Sequence, residues 1–202
     1  MDPQADQRTF KTQCCIVGGG PAGMMLGYLL ARAGVETLVL EKHADFLRDF
    51  RGDTVHPSTM QIMHELGLLD EFLKRPHQRI DRIGGDFGGT MLRMADFSRL
   101  KVAAPFIAMM PQWDFLDFLA DQATAFPAFK LLRETSAHDL LQDGEKITGV
   151  IAKDGQGDLR IIAAVTIGCD GRHSTIRARA GLKVEDIGAP IDVLWFRVAK
   201  SD

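Results

Sequence analysis

The sequence predicts an α/β domain whose core is a parallel sheet with an antiparallel meander attached, and three observations predict it. A glycine-rich turn, Gly18-x-Gly20-x-x-Gly23, lies between an apolar run and a helical pattern, and a second apolar run follows; together they make a β-turn-α-β unit. Gln112 to Ala125 returns to a helical period, with Phe115, Phe118, Leu119 and Ala123 on one side. Between Lys130 and Ile167, Asp143-Gly144 and Asp154-Gly155 separate alternating runs, as hairpin turns do. At 202 residues, 46% hydrophobic and 25% charged, the chain is long enough to bury a sizeable core.

Each element follows from its residues. Met1 to Arg8 is polar and expected to be disordered. Gln13 to Val17 is a short apolar run ending in glycines, the pattern of a strand buried on both faces. Pro21 to Ala33 reads as a helix, with proline near its start, apolar faces from Met24, Met25, Tyr28, Leu29 and Leu30, and Gly34 placed to end it. Thr37 to Leu40 is the second strand, closed by Glu41. A polar loop from Lys42 to Thr54 precedes a helix begun by Pro57 and ending near Gly67, then a short helix to about Lys74. Arg79 to Met110 changes character, with Gly84-Gly85 and Gly88-Gly89 punctuating strand-like pieces. Val165 to Gly168 leads into Cys169-Asp170-Gly171 and a short helix from Ser174, and Ile191 to Val198 reads as one more strand.

Composition narrows the function. A formal net charge of -3, with no run of more than two basic residues, leaves no footprint for a nucleic-acid partner. The three cysteines, Cys14, Cys15 and Cys169, have no metal-ligand spacing. Cys14 and Cys15 should point to opposite faces of one strand, so free thiols in a reducing, cytoplasmic setting are expected. The uncharged stretch from Cys14 to Ala31 superficially resembles a signal peptide or a membrane span, but Gly18-Gly19-Gly20-Pro21 interrupts it. No membrane association is expected.

The glycine turn has a defined chemistry when strand and helix flank it. The first glycine permits the tight turn, the second lets the backbone approach a pyrophosphate, and the third permits close packing of helix on strand. Free N–H groups at the helix start then meet the phosphate charge. Glu41, at the end of the second strand, is placed to accept hydrogen bonds from ribose hydroxyls, and its charge argues against a 2′-phosphate there. Gly27 would let the helix sit close to the sheet. A glycine turn in an ordinary α/β protein, with Glu41 as a solvated strand end, is the alternative.

Three segments carry a resemblance to a known family. Val17 to Gly23, continuing through Gly27 and Gly34 to Leu40-Glu41, resembles the FAD-binding start of the flavin monooxygenases related to para-hydroxybenzoate hydroxylase. Arg51-Gly52-Asp53-Thr54-Val55, Pro57-Ser58-Thr59 and Leu66-Gly67-Leu68-Leu69 resemble that family's arginine loop and following helix. Gly168-Cys169-Asp170-Gly171-Arg172-His173-Ser174-Thr175-Ile176-Arg177 resembles its Asp-Gly fingerprint, D-G-x-x-S-x-x-R, which is far more restrictive than the glycine turn.

The resemblance implies a Rossmann-like FAD/NAD(P)-binding domain with a parallel sheet and β-meander crossover, plus fragments of a β-rich substrate domain. The FAD-binding domain would comprise 9–78 and 111–187, with 79–110 and 188–202 as parts of an incomplete substrate domain. Gly18, Gly20, Pro21, Ala22, Gly23, Glu41 and Lys42 would line the adenosine and pyrophosphate of FAD. Arg51, with Gly52, would reach the ribityl–pyrophosphate region, and Gln112 the ribityl chain. Asp170, Gly171 and Arg177 belong to a segment that the family uses toward both FAD and NAD(P)H, and Ala137 would lie near the adenine. For Asp170 a simple turn-forming Asp-Gly is an equal alternative on its own residues. No catalytic acid or base is identified. His56 and His173 read as loop histidines, and Trp113 and Trp195 as core or interface.

The activity implied is hydroxylation of a small aromatic substrate with NADH or NADPH as electron donor. The family's second FAD fingerprint, a Gly-Asp segment with a proline-containing loop, is absent, so the chain reads as an N-terminal portion to be completed by a missing C-terminal part, or as a homodimer. Two alternatives stay open: another flavin oxidoreductase, of reductase or halogenase type, sharing this half, or a non-catalytic FAD-binding remnant. The halogenase-type Trp-x-Trp-x-Ile-Pro stretch is missing.

Overall fold

The computed structural model describes residues 8–47 and 53–188. The expected disorder of the first residues, the Arg51-Gly52 positions and the strand expected from Ile191 to Val198 therefore lie outside the described residues, save Arg8 itself.

The chain starts with β1 (Arg8–Val17), turns through the glycines into α1 (Pro21–Arg32), and returns as β2 (Thr37–Leu40). A short β3 (Thr54–Val55), α2 (Pro57–Glu65) and α3 (Leu69–Phe72) follow. Three strands come next, β4 (Gln78–Ile80), β5 (Arg82–Phe87) and β6 (Thr90–Asp96), and after a 3-10 turn at Phe97–Arg99 the chain forms β7 (Ile107–Met109). Then come α4 (Gln112–Thr124), β8 (Phe129–Leu132), β9 (Ser136–Asp143), β10 (Lys146–Asp154), β11 (Gly157–Gly168) and α5 (Thr175–Arg179).

The main sheet has six strands in the order β8-β2-β1-β11-β10-β9. Its β8, β2, β1 and β11 strands are parallel, while β11, β10 and β9 form the antiparallel meander. A second sheet, β3-β7-β4, and the β5–β6 hairpin stand apart from it.

One expected boundary needs correction. β1 begins at Arg8, not Gln13: its first half alternates half-buried with exposed positions and carries one apolar residue, Phe10, so no apolar run marks it. Only its last four residues are buried on both faces, and those alone make a continuous apolar run. Gly157 to Gly168 is one strand that runs through Val165–Gly168 into the Asp170 loop. Its start pairs antiparallel with β10, and Leu159 to Gly168 pairs parallel with β1.

The two faces of the main sheet carry separate cores. On one, Cys14, Ile16 and Val39 pack under α1 and α4 with Met24, Tyr28, Phe118 and Leu119. Edge-to-face rings extend this core to α3, with Phe72 lying 5.9 Å from Phe115 and 5.3 Å from Phe118. On the other face, Cys15, Val17 and Leu40 pack with Leu140, Val150, Leu159, Ile161 and Ile176. Cys14 and Cys15 thus face opposite sides, and burial pushes the Cys15 thiol up to about 12. Gly27 brings α1 onto the sheet: a Cβ there would stand 2.9 Å from both Val39 and Phe129.

Candidate functional site

The C-terminal ends of β1, β2 and β11 open into one cleft of about 360 Å³, the usual place for a ligand in an open parallel sheet. Its walls include Gly18 and Gly20 after β1, and Glu41, Lys42 and His43 after β2. Thr135, Ser136 and Ala137 lie at the start of β9, Asp170, Gly171, His173 and Thr175 after β11, and Gln112 at the start of α4.

The three motif glycines do different jobs. Gly18 has φ +109, and a Cβ there would fall 2.3 Å from the Cys169 carbonyl oxygen. At Gly23 a Cβ would fall 1.9 Å from the Gly18 carbonyl oxygen. These two are glycines because protein backbone occupies the space. Gly20 differs: its φ of -74 suits any residue, and a Cβ would meet nothing within 4 Å. Its missing side chain leaves the cleft open beside the start of α1. That helix has proline at its start, no side-chain cap and no acid in its first turn. Ala22 and Gly23 therefore present first-turn N–H groups that no earlier turn can bond, at the positive end of the helix dipole. The arrangement fits a phosphate.

Glu41 is 6% exposed, which excludes the solvated strand end. Its carboxylate accepts the Gly19 N–H at 3.1 Å through Oε2 and the His43 N–H at 2.9 Å through Oε1. Both oxygens are engaged, so the group is fixed in place at the end of β2. Gly19 is constrained by it: a Cβ would stand 2.9 Å from the Glu41 Cβ.

The Asp170 loop forms the opposite wall. Asp170 accepts from the Ser174 hydroxyl and from the N–H groups of Thr175, at 2.6 Å, and Ile176, at 3.1 Å. It caps α5, while Gly171 turns the chain at φ +87. Ser174 accepts from the Arg177 N–H at 3.0 Å, and the Arg177 guanidinium donates to the Arg172 carbonyl at 2.6 Å. Burial first, and then the Asp170 charge, raise the Cys169 thiol above its ordinary value.

Among the expected site residues, Gly18, Gly20, Glu41, Lys42, Gln112, Ala137, Asp170 and Gly171 come together around the cleft. Pro21, Ala22 and Gly23 form the adjoining first turn of α1. Arg177 is not among the lining residues and braces the Asp170 loop. Arg51 and Gly52 lie outside the described residues. Spacing and motif assign no role to His43, Thr135, Ser136 or Thr175 as lining residues, and His173 reads from the sequence only as a loop histidine. Their signal was positional only: His43 comes three residues after β2, Thr135 and Ser136 stand at the start of β9, and His173 and Thr175 at the start of α5.

The family model described as an FAD binding domain matches residues 11–202. The chain belongs to the FAD-binding domain family. Among curated relatives, it is 31% identical over 188 residues to the 6-methylpretetramide 4-monooxygenase of Streptomyces rimosus, covering 93% of this chain and 45% of that protein. It is 35% identical over 167 residues to the rifampicin monooxygenase of Streptomyces venezuelae, covering 83% and 33%. Among solved structures, p-nitrophenol 4-monooxygenase PnpA from Pseudomonas putida DLL-E4 superposes with a TM-score of 0.78 at 23% identity, covering 90% of this chain and 46% of that one. The OxyS anhydrotetracycline hydroxylase of S. rimosus gives a TM-score of 0.72 at 29% identity, covering 85% and 34%.

The fold of this FAD-binding domain is thus that of flavin-dependent monooxygenases, as the three sequence segments imply. The chain spans a third to a half of the length of these relatives. No helix among the described residues is long and apolar enough to cross a membrane.

Proposed function

We propose that this FAD-binding domain serves an NADH- or NADPH-dependent flavin monooxygenase that hydroxylates an aromatic or similar small organic substrate. The observation that carries the reading is the cleft itself, where an uncapped helix start, an open Gly20 and a fixed, buried Glu41 converge. The first-turn N–H groups of α1 would hold the pyrophosphate, and Glu41 would accept from the adenosine ribose. Lys42 and Ala137 would flank the adenosine, and Gln112, opening α4, would bond the ribityl chain. Asp170 and Gly171 would shape the wall beside the pyrophosphate, with Arg177 holding that wall. Bound FAD supplies the redox chemistry; the protein binds and orients it.

The relatives are named for 6-methylpretetramide, rifampicin and p-nitrophenol, which supports an aromatic or similar small organic substrate for this chain as well. Residues 79–110, holding the β5–β6 hairpin and β7, with 188–202, would belong to a substrate domain, and 9–78 with 111–187 to the FAD domain.

The test begins with flavin-fluorescence titration of the purified chain. Saturable FAD binding, displaced by ADP but not by FMN, is expected, because the residues identified address the adenosine and pyrophosphate. No binding, or FMN competing as well as ADP, overturns the site. The activity is tested on the full-length protein with NADH or NADPH, labelled oxygen and a panel of phenols. Incorporation of one labelled oxygen atom supports hydroxylation. A chlorinated product in chloride buffer would instead favour the halogenase class.

A further inference from the structure

We infer that Arg133 is a positioning residue for this cleft, fastening the wall that carries Lys42 and His43. The inference rests on the FAD reading above, but the geometry that carries it is independent of any ligand.

The parallel pairing of β2 with β8 ends at Leu40 and Leu132, yet the two chains remain joined beyond it. The Glu41 N–H donates to the Leu132 carbonyl at 2.8 Å, the Thr135 N–H to the Glu41 carbonyl at 2.9 Å, and the Glu134 N–H to the His43 carbonyl at 3.1 Å. To make the last two bonds in succession the backbone turns sharply at Glu134, the only non-glycine with positive φ among the described residues, at +52. The residues so joined, Glu41 to His43 and Thr135, are cleft wall.

Arg133 closes the clamp from outside the cleft. One guanidinium nitrogen donates to the Ala44 carbonyl at 3.1 Å, and the group lies 4.3 Å from the centre of the buried Phe46 ring. On its far side it faces Asp117 of α4 at 3.7 Å. Three contacts thus fix one planar cation between the loop after β2, a core ring and a helix under the sheet. The Arg133 side chain is not among the lining groups, although its backbone carbonyl accepts from the Thr135 hydroxyl at 2.9 Å; the guanidinium acts through Ala44 and hence through His43 and Lys42. Without it, backbone bonds would still join Glu41 and His43 to the β8 side, but the loop beyond His43 would lose its side-chain anchor. The pyrophosphate turn at Gly18 to Gly23 is held by Leu40, Cys169 and the Glu41 carboxylate, and Glu41 stays bonded to Leu132 and Thr135 without Arg133, so the turn should not feel the change.

The predicted effect is therefore selective along the ligand. Arg133→Met keeps an unbranched side chain but removes the guanidinium, and with it the donor to Ala44 and the charge over Phe46. In the purified chain it should weaken ADP binding by about tenfold, the order expected for one charge-assisted hydrogen bond, and leave inorganic pyrophosphate binding unchanged. Arg133→Lys, which restores a cation within reach of the carbonyl and ring, should recover most of that loss. Should Arg133→Met fail to fold, Asp117→Asn carries the test, since it loosens the guanidinium from outside the cleft and should weaken ADP in the same direction by less. Native ADP affinity in the folded variant, parallel loss of pyrophosphate and ADP, or no recovery in Arg133→Lys would each overturn the assignment. A native chain that binds neither ADP nor FAD would instead overturn the cofactor reading.

Discussion

Gly20→Val separates cofactor contact from folding, because Gly20 alone of the three motif glycines has no protein reason to be glycine. Its backbone at φ -74 and ψ -177 is open to any L-residue, and the added Cβ would meet no protein atom within 4 Å. Replacing glycine in an allowed conformation stabilises by roughly 0.4–1 kcal/mol through the unfolded chain. Losing a tolerated N-cap residue for valine costs a similar amount, on the order of 1 kcal/mol. The two offset, so the unfolding midpoint should barely move. The branched side chain, however, projects into the cleft where the pyrophosphate is expected and holds it off the first-turn N–H groups. Loss of two charge-assisted bonds at roughly 1.5 kcal/mol each gives about 3 kcal/mol, or an FAD affinity about a hundredfold weaker. Gly23→Ala is the control, since its Cβ would fall 1.9 Å from the Gly18 carbonyl oxygen and must displace backbone. That variant should lose stability and FAD binding together. Circular dichroism melts and flavin-fluorescence titration read both quantities. A Gly20→Val chain that melts normally and binds FAD normally would refute the reasoning.

Three further outcomes are expected. Glu41→Gln places an amide group against the Gly19 and His43 N–H donors, so FAD affinity should fall about 10- to 100-fold by titration, and an unchanged affinity would remove Glu41 from the site. The Arg8 guanidinium, paired with Asp154, holds that carboxyl below its usual range. A depressed native value means that the pair stabilises above the unfolded carboxyl value of about 3.9 and loses this as pH falls through the lower native one. The difference in melting temperature between the native chain and Asp154→Asn should thus be present at neutral pH and close under acid; a pH-independent difference would exclude the pair as its source. Glu134→Gly should raise the unfolding free energy by about 0.5–1 kcal/mol through relief of the left-handed conformation, whereas Glu134→Val should lower it, as denaturant titrations would show.

The order of elements was legible because most carry a local signal. Pro21, Pro57 and Gly34 mark helix ends, and Asp143-Gly144 marks the meander's first turn. Strand extent was legible only where both faces are buried, as at Cys14 to Val17; Arg8 to Thr12 alternates and looks like a polar lead-in. The double duty of β11 had no local signal, since nothing within Gly157 to Gly168 says that its partners run in opposite directions. The glycine turn between β1 and α1, and the place of Glu41 at the end of β2, were legible from spacing. What spacing leaves hidden is the set of contacts between distant positions, such as the Glu41 carboxylate that fills the space beside Gly19. Thr135, Ser136 and His43 reach the cleft through the same kind of long-range pairing.

The selectivity of the Asp-Gly fingerprint has a physical cause in that hidden layer. Considered alone, Asp170-Gly171 is a turn, and half of its reading as such is right. Asp170 directs its carboxylate to Ser174, Thr175 and Ile176, and Ser174 in turn takes the Arg177 N–H, so that the Asp, Ser and Arg of D-G-x-x-S-x-x-R answer to one another. Arg177 completes the loop by bonding the Arg172 carbonyl between them. The product of this self-capped loop is the position of one peptide group: the Cys169 carbonyl, which stands where a Gly18 side chain would be, while the Cys169 N–H donates to Val17 at 2.7 Å. The fingerprint after β11 and the glycine turn after β1 are therefore two halves of one joint, with Gly18 shaped to the loop that Asp170 builds. A sequence can carry a glycine turn for many reasons, but it carries both halves only when the two strand ends meet across a cleft.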